Sequence, residues 1–351
     1  MRVLVTGSDG YIGRVLVRRL EAAGHDVVGL DSGWFAGCDF GEDGVNAQGS
    51  PADIRDAAVA DLEGFDAVVH LAAISNDPLG DLDPDCTYAI NHRASVRLAR
   101  LARQAGVRRV VFSSSCSLYG AASPDEFLTE EATFNPVTPY GESKVLVERD
   151  VSQLADDTFS PTFLRNATVY GTSPRLRCDL VVNDLVATAY TTSEIVIKSD
   201  GTPWRPLVHI EDVADAFQAV LAAPREHVHN QAFNIGRTTE NYQVRDVADI
   251  VAEVIPGSRV TYAEGGGPDN RSYRVDFSKA EDSLPGFEPR WTVPEGVREL
   301  VAAYERHGLS AEDLQSSRFV RLRRIQELQS RGELGPDLRW LSTQDPVAAR
   351  L

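Results

Sequence analysis

The chain has 351 residues, of which 42% are hydrophobic and 25% charged, and its formal net charge at pH 7 is -17. This length allows a two-lobed protein with a sizeable core, and the composition is that of an ordinary globular protein. The acidic balance argues against a nucleic-acid-binding surface, because phosphate contacts need clustered lysine and arginine. Four widely spaced cysteines form neither a zinc pattern nor a disulfide framework, so a reducing compartment is expected.

Targeting and membrane signals are the next feature. The first residues carry no secretory pattern, and no apolar run approaches the roughly 18 residues that cross a bilayer. We therefore expect a cytoplasmic protein without a membrane partner.

The first half of the chain alternates short β-branched runs with amphipathic stretches, which predicts βαβ units. The expected fold class is α/β, with a doubly wound parallel sheet. Strands are predicted over 3–6, 26–30, 67–71, 109–113 and 162–164, and helices over 11–23, 91–105 and 143–155.

After residue 170 the rhythm changes, which predicts a smaller C-terminal lobe that binds the substrate. A helix is predicted over 175–192, and short strands over 195–198, 231–234 and 259–262. The expected domains are a cofactor lobe over 1–170 with chain returning around 208–222, a mainly substrate-binding lobe over 171–308, and a helical extension over 309–351.

The extension has an apolar stripe at Phe319, Leu322, Ile325 and Leu328, spaced three residues apart. This spacing predicts one amphipathic helix. We expect the helix to pack on its own domain or on a second subunit, and a regulatory role is the alternative.

A glycine-rich turn follows the first strand, with Gly7, Gly10 and Gly13 around Tyr11 and Ile12, and leads into a helix. Glycines there permit a sharp turn and a close approach to a pyrophosphate, and the helix start supplies N–H groups. The setting predicts dinucleotide binding, with a purely structural turn as the alternative.

An aspartate, Asp31, ends the second predicted strand. A carboxylate there accepts hydrogen bonds from the adenosine ribose hydroxyls and repels a 2′-phosphate, which favours NAD over NADP. Asp53 and Ile54 are candidates to frame the adenine ring. The alternative for both aspartates is an ordinary exposed loop carboxylate.

Tyr140 and Lys144 stand four residues apart, on one face of a predicted helix. A tyrosine acts as a base towards a sugar hydroxyl when a nearby ammonium lowers its pKa. Upstream, the strand that begins at residue 109 ends in the polar run Ser115, Cys116 and Ser117. We expect Ser115 to join a proton relay, whereas Cys116 is either an acid/base or a packed filler.

With these residues in place, the chain resembles the extended short-chain dehydrogenase/reductase family, in its NAD-dependent sugar epimerase/dehydratase branch. The resemblance covers about residues 1–305 and implies a Rossmann-type fold. It is carried by the glycine loop 7–13, Asp31, Asp53-Ile54, the strand end His70-Leu71-Ala72-Ala73, Asn91, Ser115, Tyr140, Lys144 and the segment 204–213.

The resemblance implies roles for these positions. Tyr140 would be the general base, Lys144 would bind the nicotinamide ribose, and Ser115 would orient the sugar hydroxyl. The segment Leu71-Ala72-Ala73 would contact the NAD cofactor. The substrate would be a nucleotide sugar, contacted by Ser115, Cys116, Ser117, Tyr140, Thr168, Asn183, and the phosphate-binding candidates Arg205 and Arg271.

Departures from the family pattern bear on the reaction. Cys116 and Ser117 stand where 4,6-dehydratases carry an Asp-Glu pair, and decarboxylases place a glutamate at the position of Ser117. Ser117 best resembles the 4-epimerases, although Thr168 replaces their usual asparagine. Epimerisation through a 4-keto intermediate is therefore the leading hypothesis, a keto-sugar reductase is the second, and a cofactor-sensing regulator without turnover is the third. The family resemblance also implies a homodimer formed through helices 91–105 and 143–155.

Overall fold

The central feature is a parallel sheet of six strands, formed within residues 1–41, 49, 51–123, 125–263 and 271–341, which a computed structural model describes. The strands are β1 Arg2–Thr6, β2 Asp26–Leu30, β3 Ala67–His70, β4 Arg109–Ser115, β5 Phe127–Leu128, β6 Ser160–Asn166, β7 Thr168–Tyr170, β8 Glu194–Ile197, β9 Trp204–His209, β10 Gln231–Ile235, β11 Asn241–Gln243, β12 Arg259–Tyr262 and β13 Arg274–Val275. The sheet has the order β10-β6-β4-β3-β1-β2, and every pair in it is parallel.

Helices cover both faces of this sheet and build the second lobe. The α-helices are α1 Tyr11–Ala22, α2 Asp77–Gly80, α3 Pro84–Thr87, α4 Ser95–Gln104, α5 Pro139–Ser152, α6 Val181–Thr192, α7 Ile210–Ala222, α8 Arg225–Val228, α9 Val244–Val254, α10 Ser278–Ser283, α11 Val293–His307, α12 Ala311–Gln315 and α13 Arg321–Ser330. Shorter 3-10 turns span Val59–Leu62 and Cys116–Tyr119, and a π-helical segment spans Tyr88–Ala94. None of the helices in the described part of the chain has the length and hydropathy that crossing a bilayer requires.

Burial explains why the central strands β1 and β3 are mostly apolar. Every residue of β3 is buried, and Val3, Leu4 and Val5 of β1 are fully inaccessible. One core packs beneath α1 and α7, and a second packs beneath α4 and α5 on the other face. A parallel sheet covered on both sides requires such uniform apolarity, and its carboxyl edge is the place left for ligands.

Two predicted helices begin elsewhere than expected. The helix predicted over 175–192 starts only at Val181, because Arg175 and Arg177 turn into the interior: Arg175 Nε donates to the Asp9 carbonyl at 3.0 Å. The helix predicted over 143–155 starts at Pro139, since the Thr138 Oγ1 caps it by accepting from the Gly141 N–H at 3.2 Å.

Chain beyond residue 170 contributes to both lobes. Strand β10, predicted as a short strand of the later half, lies at the edge of the main sheet beside β6, and α7 packs against α1. Residues of α6, α9 and α11 form a third core, whereas α10 packs in the first core and α13 in the second. The boundaries 1–170, 171–308 and 309–351 remain predictions.

The amphipathic helix predicted in the C-terminal extension is present as α13. Phe319, Ile325 and Leu328 are fully buried on this chain, and Phe319 packs edge-on against Phe40 with ring centroids 5.6 Å apart. Leu322 is only partly buried and packs against the same core as Ile325 and Leu328. Residues 342–351 of the extension lie outside the described residues.

Candidate active site

A cavity of about 760 Å³ opens at the carboxyl edge of β1, β3 and β4, between the sheet and the second lobe. It brings together residues that are far apart in the sequence, and nearly all of the predicted site residues line it. These residues are Gly7, Gly10, Tyr11, Ile12, Gly13, Asp31, Asp53, Ile54, Leu71, Ala72, Ala73, Ser115, Ser117, Tyr140, Lys144, Thr168, Arg205 and Arg271.

The glycine loop is shaped by close backbone approaches. Gly7 has φ +74°, and a Cβ on it would lie 2.8 Å from the Ala72 nitrogen. A Cβ on Gly13 would lie 2.1 Å from the Gly7 carbonyl oxygen, so helix and strand pack too closely for any other residue. No side chain caps α1 at Gly10, which leaves the N–H groups of its first turn for an external acceptor. This arrangement fits a dinucleotide pyrophosphate.

The acidic residues at the adenosine end of the cavity have well-defined partners. The Asp31 carboxylate accepts from the Gly33 N–H at 2.9 Å and the Asp9 N–H at 3.1 Å, and burial raises its pKa. The Asp53 carboxylate is paired with Arg55 at 2.5 Å, and the guanidinium of Arg339 lies 3.9 Å away. Both aspartates line the cavity, and their roles towards the ribose and adenine remain predictions.

Lys144 lies under the floor of the cavity and is almost inaccessible to solvent. Its Nζ donates to the Ser113 carbonyl at 2.7 Å and lies 5.5 Å from the centre of the Tyr140 ring. Burial lowers its pKa to about 7, against the opposing charge of Glu148. The contact with Ser113 thus fixes the Lys144 amino group close to Tyr140 at the cavity.

Tyr140 and Lys144 both lie on α5, because the helix capped by Thr138 begins at Pro139. Tyr140 precedes Lys144 by one turn. Burial raises the Tyr140 pKa to about 12, a hydrogen bond with Ser115 lowers it, and the charge of Asp77 raises it. Ser115 Oγ in turn accepts from the Ser117 N–H at 3.1 Å. The three side chains Ser115, Tyr140 and Lys144 thus form one cluster at the end of β4.

Two predicted substrate contacts are not at the cavity. Cys116 is 1% exposed, and its thiol donates to the Arg165 carbonyl at 3.1 Å, so burial holds its pKa well above the ordinary value. Asn183 is fully buried, and its amide Nδ2 donates to the Tyr11 hydroxyl at 3.2 Å and to the Arg177 carbonyl at 2.9 Å. Both side chains are used to hold the fold around the site, and neither faces the cavity.

The predicted phosphate-binding residues lie in the second lobe. Arg205 Nη1 donates to the Trp204 carbonyl at 2.9 Å and also to the carbonyl of Arg271. Arg271 is ion-paired with Asp77. Thr168 begins β7, which pairs with β9 through the register of Thr168 with Leu207. These contacts hold two guanidinium groups at the cavity wall.

Several residues of the cavity were missed by sequence reasoning. Asp77 accepts from the Thr138 hydroxyl at 2.6 Å and lies close enough to Tyr140 to affect its pKa. Tyr273 lines the cavity beside Ser117, with which it shares a hydrogen bond. Arg177 and Arg321 also line it. A sequence pattern could have indicated Asp77, because the polar run 75–77 follows the end of β3 at the ligand-binding edge of the sheet.

The glycine loop, Asp31 and the Ser115, Tyr140 and Lys144 cluster define a dinucleotide-dependent α/β enzyme. The chain belongs to the NAD dependent epimerase/dehydratase family, whose model matches residues 3–236. The predicted family, fold class and NAD cofactor are therefore confirmed.

Relatives of known identity support this assignment. The chain is 33% identical over 324 residues to UDP-glucose 4-epimerase of Mycolicibacterium smegmatis, covering 86% of this chain and 97% of that one. The structure of MoeE5 in complex with UDP-glucuronic acid and NAD is similar, with a TM-score of 0.76, 29% identity, and coverage of 87% and 99%. So is that of TunA, an NAD-dependent NDP-hexosamine 5,6-dehydratase, with a TM-score of 0.78, 25% identity, and coverage of 88% and 99%.

Proposed function

We propose that this protein is an NAD-dependent epimerase of a nucleotide-activated sugar, acting through a transient 4-keto intermediate. The single observation that carries the proposal is the hydrogen-bonded Ser115, Ser117 and Tyr140 group, in the same cavity as the glycine loop. Its hydroxyls supply proton transfer at the sugar 4-hydroxyl, and Ser117 stands where a dehydratase needs a carboxyl group.

The residues divide the proton chemistry between them. The Tyr140 phenolate takes the proton of the sugar 4-hydroxyl, and Ser115 holds the hydroxyl oxygen while the carbon becomes a ketone. Lys144 holds the nicotinamide ribose and stabilises the phenolate by its positive charge. NAD, when bound, supplies the hydride acceptor and returns the hydride later. Turning the keto-sugar over before that return inverts the carbon.

Two arginines support a nucleotide-sugar substrate. Arg205 and Arg271 line the second-lobe side of the cavity, where guanidinium groups suit the paired oxygens of a pyrophosphate. The protein itself has a formal charge of -17, so an anionic substrate needs such a local positive region to enter. The similarity to UDP-glucose 4-epimerase of Mycolicibacterium smegmatis supports a UDP-sugar as the first substrate to test.

The acid and base groups beside Tyr140 favour epimerisation over elimination. The Cys116 thiol is engaged by the Arg165 carbonyl, and Ser117 is a weak acid. Among the described residues, Asp77 is the carboxylate whose charge acts on Tyr140, and its oxygens are occupied by Thr138 and Arg271. Within the described residues, the cavity therefore favours hydride transfer with no loss of water.

The test uses the purified holoenzyme with UDP-, dTDP-, GDP-, ADP- and CDP-sugars, each carrying deuterium at C4. Epimerisation predicts a C4-inverted product that keeps its deuterium, with no solvent hydrogen entering the sugar and no net consumption of NAD. A product that has lost one water would contradict the proposal in favour of dehydration. Steady oxidation of added NADH with a 4-keto sugar nucleotide would instead identify a keto-sugar reductase.

A pH prediction follows from the charge of Asp77. Since this carboxylate raises the Tyr140 pKa, Asp77→Asn is expected to lower that pKa. The rise of kcat/KM with pH, which follows ionisation of the base, then moves to lower pH. Because the Tyr140 pKa of about 12 lies above the workable range, the measurement is kcat/KM of the holoenzyme between about pH 6 and about pH 10, where it rises with the fraction of phenolate, and the variant is expected to reach a given value at lower pH.

Glu142→Gln is the matched control for this profile. Glu142 lies on α5, as Tyr140 does, and its carboxylate accepts from the Tyr88 hydroxyl outside the cavity. Its profile is expected to coincide with that of the wild type. If Asp77→Asn moved the profile to higher pH, the assignment of Tyr140 as the ionising base would be wrong.

A further inference from the structure

The C-terminal extension forms part of the cofactor cavity. Val320, Arg321 and Leu322, at the start of α13, line the same cavity as the glycine loop. Further along, Trp340 Nε1 donates to the Ser32 carbonyl at 2.7 Å, one residue after Asp31. The extension therefore crosses the cavity at the end where the dinucleotide binds.

Arg321 is the unusual residue of this segment. Its side chain is 3% exposed, and its Nη1 is buried without a hydrogen-bond partner. Its Nη2 donates to the Arg175 carbonyl at 3.3 Å, and the guanidinium stacks 3.8 Å above the ring of Phe35. A buried guanidinium N–H without a hydrogen-bond partner is costly unless a ligand satisfies it, and Arg321 belongs to the wall of the cavity.

The charges around Arg321 do not balance it. Arg175 is paired with Asp39 at 3.1 Å, and Arg177 is paired with Asp179 at 2.8 Å. Asp179 also attracts Arg321, but burial and the charge of Arg177 together lower the Arg321 pKa to about 9. Arg175 and Arg177 thus each have a carboxylate in ion-pair contact, whereas no side-chain carboxylate of the described residues forms such a contact with the Arg321 guanidinium, and a bound anion would balance its charge.

The position of Arg321 relates it to the dinucleotide site. Arg175, whose carbonyl accepts from Arg321, donates to the Asp9 carbonyl inside the glycine loop at 3.0 Å. Arg175 Nη1 also donates to the Phe35 carbonyl at 2.6 Å, and Arg321 stacks on the ring of the same Phe35. Arg175 thus connects the Arg321 guanidinium to the glycine loop, which fits the NAD pyrophosphate. In the second lobe, by contrast, Arg205 donates to the backbone carbonyl of Arg271, and the Arg271 guanidinium pairs with Asp77.

We propose that Arg321 binds the pyrophosphate of NAD across from the glycine loop, and that the extension therefore retains the cofactor. A guanidinium offers two parallel donors to phosphate oxygens, and the dinucleotide then lies between α1 and the start of α13. Cofactor exchange requires this segment to move away, so release of NAD is slow. The inference rests on NAD binding by the family and does not depend on which sugar reaction the enzyme catalyses.

Binding measurements test this proposal without using activity. The variant is Arg321→Met, which keeps the apolar stem on Phe35 and removes the charge. Its affinity for ADP-ribose, measured by calorimetry on protein stripped of cofactor, is expected to fall by about 10- to 100-fold, the range for a lost charged hydrogen bond. Its affinity for adenosine, which has no phosphate, is expected to stay within about twofold of the wild type. NADH is expected to leave the variant about 10- to 100-fold faster.

Controls separate a ligand role from a structural one. Arg331→Met, on the same extension, removes an exposed partner of Glu327 and is expected to change none of these values. Without ligand, Arg321→Met is expected to melt no lower than the wild type, because the substitution removes a cation from among other cations. A lower melting temperature with unchanged ADP-ribose affinity would overturn the proposal. So would a loss confined to UDP, which would assign Arg321 to the pyrophosphate of the sugar nucleotide.

Discussion

Replacing Tyr140 with phenylalanine is expected to lower kcat about 10²- to 10⁴-fold, the usual contribution of a positioned general base. The substitution removes one hydroxyl and keeps the ring that lies 5.5 Å from Lys144 Nζ. The bound NAD content, measured after denaturing the protein, is expected to be unchanged, because the glycine loop and Asp31 hold the other end of the cofactor. The measurement is the initial rate on the sugar nucleotide identified in the substrate panel.

Tyr190→Phe is the matched control, since it removes a tyrosine hydroxyl from α6, where the ring packs against Tyr304 away from the cavity. Its kcat is expected to equal that of the wild type. Undiminished turnover in Tyr140→Phe would instead point to a different base and would weaken the proposed mechanism as a whole.

The second large effect concerns stability and arises from the buried ion pair of Glu148 and Arg165. Their side chains are 7% and 6% exposed, and the shortest contact between them is 2.7 Å. Glu148→Ala leaves the Arg165 charge buried without its carboxylate, so the free energy of unfolding is expected to fall by about 3–5 kcal/mol. Urea denaturation followed by tryptophan fluorescence measures the difference.

Arg259→Ala provides the comparison for an exposed pair. Arg259 and Glu194 are 2.8 Å apart, but their side chains are 75% and 44% exposed. Solvent screens such a pair, so its loss is expected to cost less than about 1 kcal/mol. Equal losses in the two variants would mean that burial does not decide the value of these ion pairs.

The same buried carboxylate connects stability with the active site. Glu148 raises the Lys144 pKa against the effect of burial, which lowers it to about 7. Removing Glu148 is therefore expected to lower the Lys144 pKa further and to reduce the fraction of ammonium at neutral pH. Glu148 lies on the same helix as Tyr140 and Lys144, one turn further along. Arg165 comes from the neighbouring strand β6.

Local sequence patterns predicted the parts of the site whose chemistry is local. The glycine loop follows β1 directly, and Tyr140 and Lys144 are one helical turn apart, so their spacing alone predicts their relation. The end of β4 placed Ser115 at the ligand-binding edge for the same reason. These residues all line the cavity, and the family match confirms the fold that they predicted.

The amino-acid sequence by itself thus predicted the α/β fold and the NAD cofactor, because the glycine loop, the strand ends and the Tyr140 to Lys144 spacing are local patterns. Only the tertiary structure decided that Cys116 and Asn183 face inward, that Asp77 affects Tyr140, and that Arg321 returns to the cavity from a distant segment. Those outcomes depend on which buried groups find partners across the chain, and sequence spacing carries no record of such contacts.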